Sequence, residues 1–129
     1  DAHLRVAVHD ITEPEFDGVL IEEPHIRQLI GFIEAWDASD GALLTHCYAG
    51  ISRSTAVALI ACFVKTGDGE TSAAALRTAA PHAVPKRRII SLADTVLGCA
   101  GALIDARERM GAPLPAIVEA PLTTLRFDP

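Results

Sequence analysis

The spacing of apolar residues in the first third of the chain changes from the period of a strand to that of a helix. Over residues 4–9 the larger apolar side chains fall at every second position, which predicts a short strand that ends at Asp10. Residues 12–18 contain a proline and a glycine and are predicted to form a loop. From Pro24 to about Asp37 apolar residues recur every three or four positions, so we expect a helix with one buried face.

A second strand and a second helix are predicted in the middle of the chain. After a turn at residues 39–41, residues 42–46 form the short apolar run that is typical of a buried strand in a parallel sheet. A glycine-containing loop over residues 47–53 follows. Residues 54–65 have almost no polar face, which predicts a central helix covered on all sides, and Gly67 ends it.

The rest of the chain is predicted to be helical, with an irregular tail of unassigned role. Helices are expected from residue 71 or 72 to residue 80, with Ser72 as a candidate cap, and over residues 88–97 and 102–110. Strands alternate with helices in the first half of the chain. We therefore predict an α/β fold, a mainly parallel sheet flanked by helices, in one domain over residues 1–129.

Composition supports one domain and narrows the classes of partner. The chain has 129 residues, half of them apolar, which is enough for one sizeable core. Its net charge of −6 argues against general binding to nucleic acid or to anionic membrane surfaces, and no apolar run is long enough to span a bilayer. We expect a soluble protein. The sequence opens at Asp1 without a leader pattern, so we expect a piece that lacks upstream residues.

The cysteines point to a reducing setting. Cys62 and Cys99 lie in apolar helical patterns and are expected in the core, whereas Cys47 lies in the predicted loop. The sequence has no Cys-x-x-Cys pair and no His/Cys spacing typical of a metal site. We therefore expect a cytoplasmic protein without a metal or another cofactor.

The spacing Cys47-x5-Arg53, between a central strand and a buried helix, predicts a phosphate-binding loop. A loop that turns back on itself points successive backbone N–H groups inward, and the helix that begins near Ser54 adds the positive end of its dipole. Arg53 can hold two phosphate oxygens, and Gly50 allows a backbone conformation that a Cβ would disfavour. A cysteine in this field loses its proton easily, so Cys47 is the expected nucleophile.

Other residues of the loop have secondary roles. Ser54 is placed to give a hydrogen bond to the sulfur as it departs, and His46 to orient the cysteine from behind the loop. Whether Tyr48 lines the pocket or packs at its rim is left open by the sequence. The residues expected to bind phosphate through the loop, besides Gly50 and Arg53, are Tyr48, Ala49, Ile51 and Ser52.

The motif His46-Cys47-x-x-Gly50-x-Ser52-Arg53-Ser54 resembles the signature of the protein tyrosine phosphatase superfamily. The resemblance is nearest to the small dual-specificity-like branch and its bacterial relatives. It covers residues 4–65 well and the helices after Gly67 only loosely. It implies a twisted sheet flanked by helices, no metal, and phosphomonoester substrates.

The same resemblance implies a general acid that protonates the leaving group. Relatives place an Asp some thirty to forty residues before the cysteine, just past a strand. Asp10 lies 37 positions before Cys47 and directly after the first predicted strand, so it is preferred to Asp17, which lies 30 positions before it. In the low-molecular-weight phosphatase plan the acid is a downstream Asp-Pro, and Asp128-Pro129 matches that plan superficially.

We therefore expect a phosphatase that acts on phosphotyrosine, and on phosphoserine and phosphothreonine as an extension, through a cysteinyl-phosphate intermediate. The partner is a phosphorylated protein or a small phosphomonoester, and the sequence leaves the oligomeric state open. One rival is a phosphate-binding pseudophosphatase, because the chain has no Asn and only Gln28 to hold the hydrolytic water. A sulfur-transfer or arsenate-reducing relative would need a second reactive thiol. The run Lys86-Arg87-Arg88 either binds a second anion or is a solvated helix start.

Overall fold

A computed structural model describes residues 3–6, 18–115 and 120–127, and these residues form a bundle of five α-helices. A short 3-10 turn at Ala38–Asp40 follows the first helix. The helices are α1 Glu23–Ala35, α2 Arg53–Thr66, α3 Gly69–Ala79, α4 Arg87–Leu97 and α5 Ala102–Arg109.

The predicted α/β fold with a mainly parallel sheet is wrong, because none of the described residues belongs to a β-strand. Of the first predicted strand, residues 4–6 are irregular and residues 7–9 lie outside the described part. Residues 42–46 make no main-chain hydrogen bond to any described segment, and Leu44 is 70% exposed. An apolar run of this length is compatible with a strand, but pairing needs a second chain segment that the run itself does not specify.

The core surrounds α2, which packs against the four other helices. Ala56, Leu59, Ile60 and Cys62 on this helix are fully buried. The predicted central helix over residues 54–65 is therefore present and begins one residue earlier. Its burial is incomplete, because Val57 and its neighbours on the same face are only partly covered.

Local capping moves several helix ends away from the predicted positions. The carboxylate of Asp68 accepts the Glu70 N–H at 3.1 Å and the Thr71 hydroxyl at 2.6 Å, so α3 begins at Gly69 and Ser72 is not its cap. The α1 helix ends at Ala35, short of the predicted Asp37.

A buried carboxylate joins α4 to α5. Asp94 accepts the backbone N–H groups of Gly101, Leu103 and Ile104 at 2.9–3.2 Å and so satisfies amides at the start of α5 that have no partner within the helix. Burial alone would raise the pKa of Asp94, but these amides and the Cys99 thiol together hold the pKa below its ordinary value of 3.8. The charged form of Asp94 thus stabilises the fold.

Asp94→Asn should lower the free energy of unfolding by about 1–3 kcal/mol, because the new amide group would face backbone N–H donors. The carboxylate contribution is complete above pH 3.8 and is lost as the pH falls through the lower folded-state pKa. The difference in the free energy of unfolding between wild type and Asp94→Asn should therefore become smaller at acidic pH. Urea unfolding across this pH range measures it, with Asp105→Asn as an exposed control on α5. Equal losses in the two variants would contradict the role of Asp94.

Within the described residues no helix has the length and apolar character needed to cross a membrane.

Candidate active site

The Cys47 loop lies between the extended segment 42–46 and the first turn of α2. Because α2 begins at Arg53, one position before the predicted start, the guanidinium-bearing residue is itself the first residue of the helix. The positive end of the helix dipole therefore faces the loop that carries Cys47.

Hydrogen bonds from outside the loop fix the orientation of its peptide groups. The carbonyls of three loop residues accept backbone N–H groups of other segments. In a planar trans peptide, the N–H of the next residue points the opposite way from such a carbonyl, and the described residues contain no cis peptide. The amides of Gly50, Ser52 and Arg53 consequently point toward the inside of the loop. The three anchoring pairs are Ala49 with Ala120 at 2.8 Å, Ile51 with Val84 at 2.9 Å, and Ser52 with Lys86 at 3.1 Å.

The sulfur of Cys47 is half-buried and donates a hydrogen bond to the Ser54 hydroxyl at 3.3 Å. Burial alone raises the pKa of this thiol. The Ser54 hydroxyl, the backbone amides of Ser54 and Gly50 and the charge of Arg53 together outweigh burial, so the pKa of Cys47 lies below the ordinary value of 9.0. The geometry thus favours a thiolate.

Gly50 has a left-handed backbone, with φ of +74°. A Cβ at this position would lie 3.6 Å from the Ala120 Cβ, which is an ordinary contact. The preference for glycine therefore comes from the backbone conformation and not from lack of space.

Cys47, Arg53, Ser54 and His46 all line one groove of about 760 Å³. The rest of its wall comes mainly from α1 and residues 40–45 and is largely apolar. Tyr48 is 90% exposed and is not among the lining residues, which favours the rim over the pocket wall. His46 is also exposed and makes no hydrogen bond to the described loop residues, so its expected orienting role stays a prediction.

Two threonines that the sequence patterns did not single out support the loop. The Thr55 hydroxyl lies 2.5 Å from the Ile51 carbonyl and 3.1 Å from that of Ser52. The Thr45 hydroxyl donates to the Ser54 carbonyl at 3.1 Å. A threonine in the first turn of a helix is a usable sequence signal, because its hydroxyl can bond a carbonyl three or four residues earlier.

Arg77 of α3 supports the segment that anchors the loop. Its guanidinium donates to the carbonyls of Ala80, Pro81 and Ala83, at 2.9–3.3 Å, and to those of Met110 and Gly111 after α5. The chain from residue 80 onward is therefore held in place just before Val84 and Lys86 reach the loop.

The basic run at the start of α4 is largely engaged within the protein. Arg88 donates to the Ile21 carbonyl at 2.8 Å and lies 3.5 Å from Glu22. Arg87 forms an exposed ion pair with Glu108 at 3.6 Å. These contacts favour a role at the helix start over a second anion site.

The other two thiols have a different environment from that of Cys47. Burial raises the pKa of Cys62, which is fully covered, and that of the half-buried Cys99. Cys62 is at its predicted core position on α2, whereas Cys99 follows the end of α4 and is only partly covered. Cys47 is thus the thiol of lowest proton affinity among the three cysteines.

Asp10, Asp17 and the pair Asp128-Pro129 all lie outside the described residues. Among the described residues, no group of three or more His, Cys, Asp or Glu side chains could hold a metal ion.

Comparison with curated proteins finds a partial likeness to dual specificity phosphatases. The chain is 34% identical over 67 residues to dual specificity protein phosphatase 15 of Rattus norvegicus. It is 33% identical over 67 residues to the Mus musculus protein of the same name. Each match covers 52% of this chain and 26% of the relative, so the chain spans about a quarter of the length of the curated relatives it matches. No family model matches the sequence, and no solved structure gives a significant match.

This likeness agrees at a coarse level with the resemblance carried by the Cys47 motif. It points to the dual-specificity and protein tyrosine phosphatase superfamily over about half of the chain.

Cys47 should be alkylated by iodoacetamide at pH 7 at least about tenfold faster than Cys62 or Cys99, because the alkylating agent reacts with the thiolate. Peptide mapping by mass spectrometry after timed exposure measures the three rates separately. Ser54→Ala should slow the reaction of Cys47, whereas the matched change Ser91→Ala on α4 should not. Equal reactivity of all three thiols would contradict the electrostatic description of the loop.

Proposed function

We propose that this chain is a cysteine-dependent protein phosphatase that cleaves phosphotyrosine, and also phosphoserine and phosphothreonine, through a cysteinyl-phosphate intermediate. The observation that carries the proposal is the sulfur of Cys47 beside inward-pointing amides and the charge of Arg53. A phosphate dianion and a thiolate are both stabilised by this arrangement. The partial similarity to dual specificity phosphatases supports the same class.

In the proposed first step the Cys47 thiolate attacks phosphorus in line with the leaving oxygen. An S–P bond forms and the P–O bond to the substrate breaks, while the loop amides and Arg53 stabilise charge on the three equatorial oxygens. Asp10, in its carboxylic acid form, gives its proton to the leaving oxygen. The products of this step are the dephosphorylated substrate and a cysteinyl-phosphate.

In the second step water attacks phosphorus and the S–P bond breaks. Asp10, now a carboxylate, takes a proton from that water, and inorganic phosphate is released. The Ser54 hydroxyl, 3.3 Å from the sulfur, is in position to stabilise the departing thiolate by donating its proton in a hydrogen bond. This step regenerates the enzyme without any co-reactant.

A pseudophosphatase remains the second candidate because no carboxamide is available near the loop in the described residues. Gln28 is exposed on α1 and does not line the groove. The segment after α3 contributes its main chain to the loop through Val84 and Lys86. Orientation of the hydrolytic water therefore depends on Asp10 in this proposal. If Asp10 does not reach the site, the loop would bind phosphorylated partners without turnover.

Cys47→Ser should abolish hydrolysis of a small aryl phosphate, with a loss of roughly a thousandfold or more in kcat. Arg53→Lys keeps the charge but loses the planar pair of donors, so kcat/KM should fall by about a hundredfold. Release of p-nitrophenol measures both, with vanadate as a competitive inhibitor. Cys99→Ser is the matched control and should retain activity. Retained turnover in Cys47→Ser would refute the nucleophile.

Asp10→Asn should remove the basic limb of the pH profile of kcat/KM, because that limb reports loss of the proton needed by the leaving group. Asp17→Asn should leave the profile unchanged. The same aryl phosphate assay over a range of pH separates the two carboxylates. The reverse result would assign the acid to Asp17.

Tight binding of a phosphopeptide by the wild type without turnover would favour the pseudophosphatase.

A further inference from the structure

The segment that carries Cys47 into the site is held by few hydrogen bonds. Residues 42–46 make no main-chain hydrogen bond to another described segment. At their upstream end the indole N–H of Trp36 donates to the Gly41 carbonyl at 2.9 Å. Lys65 of α2 in turn donates to the Trp36 carbonyl at 2.6 Å. This end of the segment is thereby tied to the C-terminal half of α2.

The downstream end of the segment is tied to the opposite end of the same helix by Thr45. The Thr45 hydroxyl donates to the Ser54 carbonyl at 3.1 Å, and the Ser54 hydroxyl lies 3.3 Å from the Cys47 sulfur. Ser54 is therefore bonded at its carbonyl to the residue two before the cysteine and at its side chain to the cysteine itself. Thr45, Ser54 and Cys47 form a closed set of contacts.

We propose that Thr45 is a positioning residue for the Cys47 nucleophile, acting through its hydroxyl bond to the Ser54 carbonyl. Ser54 is only 7% exposed and lies in the first turn of α2, so it is a rigid reference point. The Thr45–Ser54 bond thus holds the chain two residues before the cysteine against the residue whose hydroxyl and amide contact the sulfur.

This proposal deepens the proposed function and rests on it for the prediction about turnover. The prediction about the alkylation of Cys47 holds whether or not the protein has phosphatase activity. The Thr45–Ser54 hydrogen bond favours the thiolate form of Cys47 because it keeps the sulfur close to hydrogen-bond donors. The titratable and charged side chains that line the same groove are His3, Asp37, Asp40, His46 and Arg53.

The test separates the hydroxyl of Thr45 from its methyl group. Thr45→Val keeps the shape and removes the donor, whereas Thr45→Ser keeps the donor and removes the methyl. Thr95→Val is the matched control, because the Thr95 hydroxyl makes a similar bond to the Ser91 carbonyl at 3.2 Å on the exposed side of α4. For each variant the rate of iodoacetamide reaction at Cys47 is measured by peptide mapping across a pH range. Circular dichroism monitors folding.

Thr45→Val should move the midpoint of Cys47 alkylation toward the ordinary cysteine value, and Thr45→Ser and Thr95→Val should match the wild type. The kcat/KM for an aryl phosphate should fall by about tenfold in Thr45→Val alone, because a small displacement of a reacting atom is costly. His46 and the other groove residues are the same in all variants, so they do not account for a difference between them.

Two results would overturn the proposal. In the first, Cys47 is alkylated with the wild-type midpoint in Thr45→Val but not in Ser54→Ala. In the other, Thr45→Ser is as impaired as Thr45→Val, which would assign the effect to packing of the methyl group. If the wild type has no phosphatase activity, the proposed function fails, but the alkylation midpoints still decide the role of Thr45. The two failures are therefore distinguishable.

Discussion

The outward hydrogen bonds of the loop carbonyls are the constraint on which the candidate site depends. When a backbone amide faces an anion, the carbonyl of the same peptide group points the opposite way. That carbonyl then needs a hydrogen-bond donor on the outer side of the loop. The backbone N–H groups of Val84 and Lys86 donate to the carbonyls of Ile51 and Ser52, and that of Ala120 donates to the carbonyl of Ala49. Hydrogen bonds on the outer side of the loop thus orient the amides on its inner side. Segments distant in sequence therefore set the orientation of the loop amides.

The environment of Cys47 is a balance between burial and hydrogen bonding. Removing a thiolate from water is unfavourable, and burial is the largest single influence on this group. Several donors must act together to reverse it, because each of them is individually smaller. Cys62 shows the opposite result, since it is buried without a comparable set of donors and its pKa is raised. Cys62 is also more deeply buried than Cys47, so both the surrounding donors and the depth of burial separate the core cysteine from the candidate nucleophile.

The parts of the fold that depend on local sequence could be predicted, and those that depend on distant partners could not. The apolar pattern of α2 and the spacing from Cys47 to Arg53 are local, and they located the helix and the loop. The sheet was wrong because the run at residues 42–46 has the composition of a strand but no described partner to pair with. The contribution of Arg77 joins residues more than thirty positions apart, so no pattern of spacing indicates it. The candidate acids are known from sequence alone.

A chain with net charge −6 that binds a phosphate dianion must do so through short-range interactions. The general field of the protein repels an anion, but salt reduces that field over about 8–10 Å at physiological ionic strength. Backbone amides, the start of α2 and Arg53 act at contact distance, where screening has little effect. The negative charge of the chain is thus compatible with the proposed anion site, whose affinity would come from the few groups at contact distance from the phosphate.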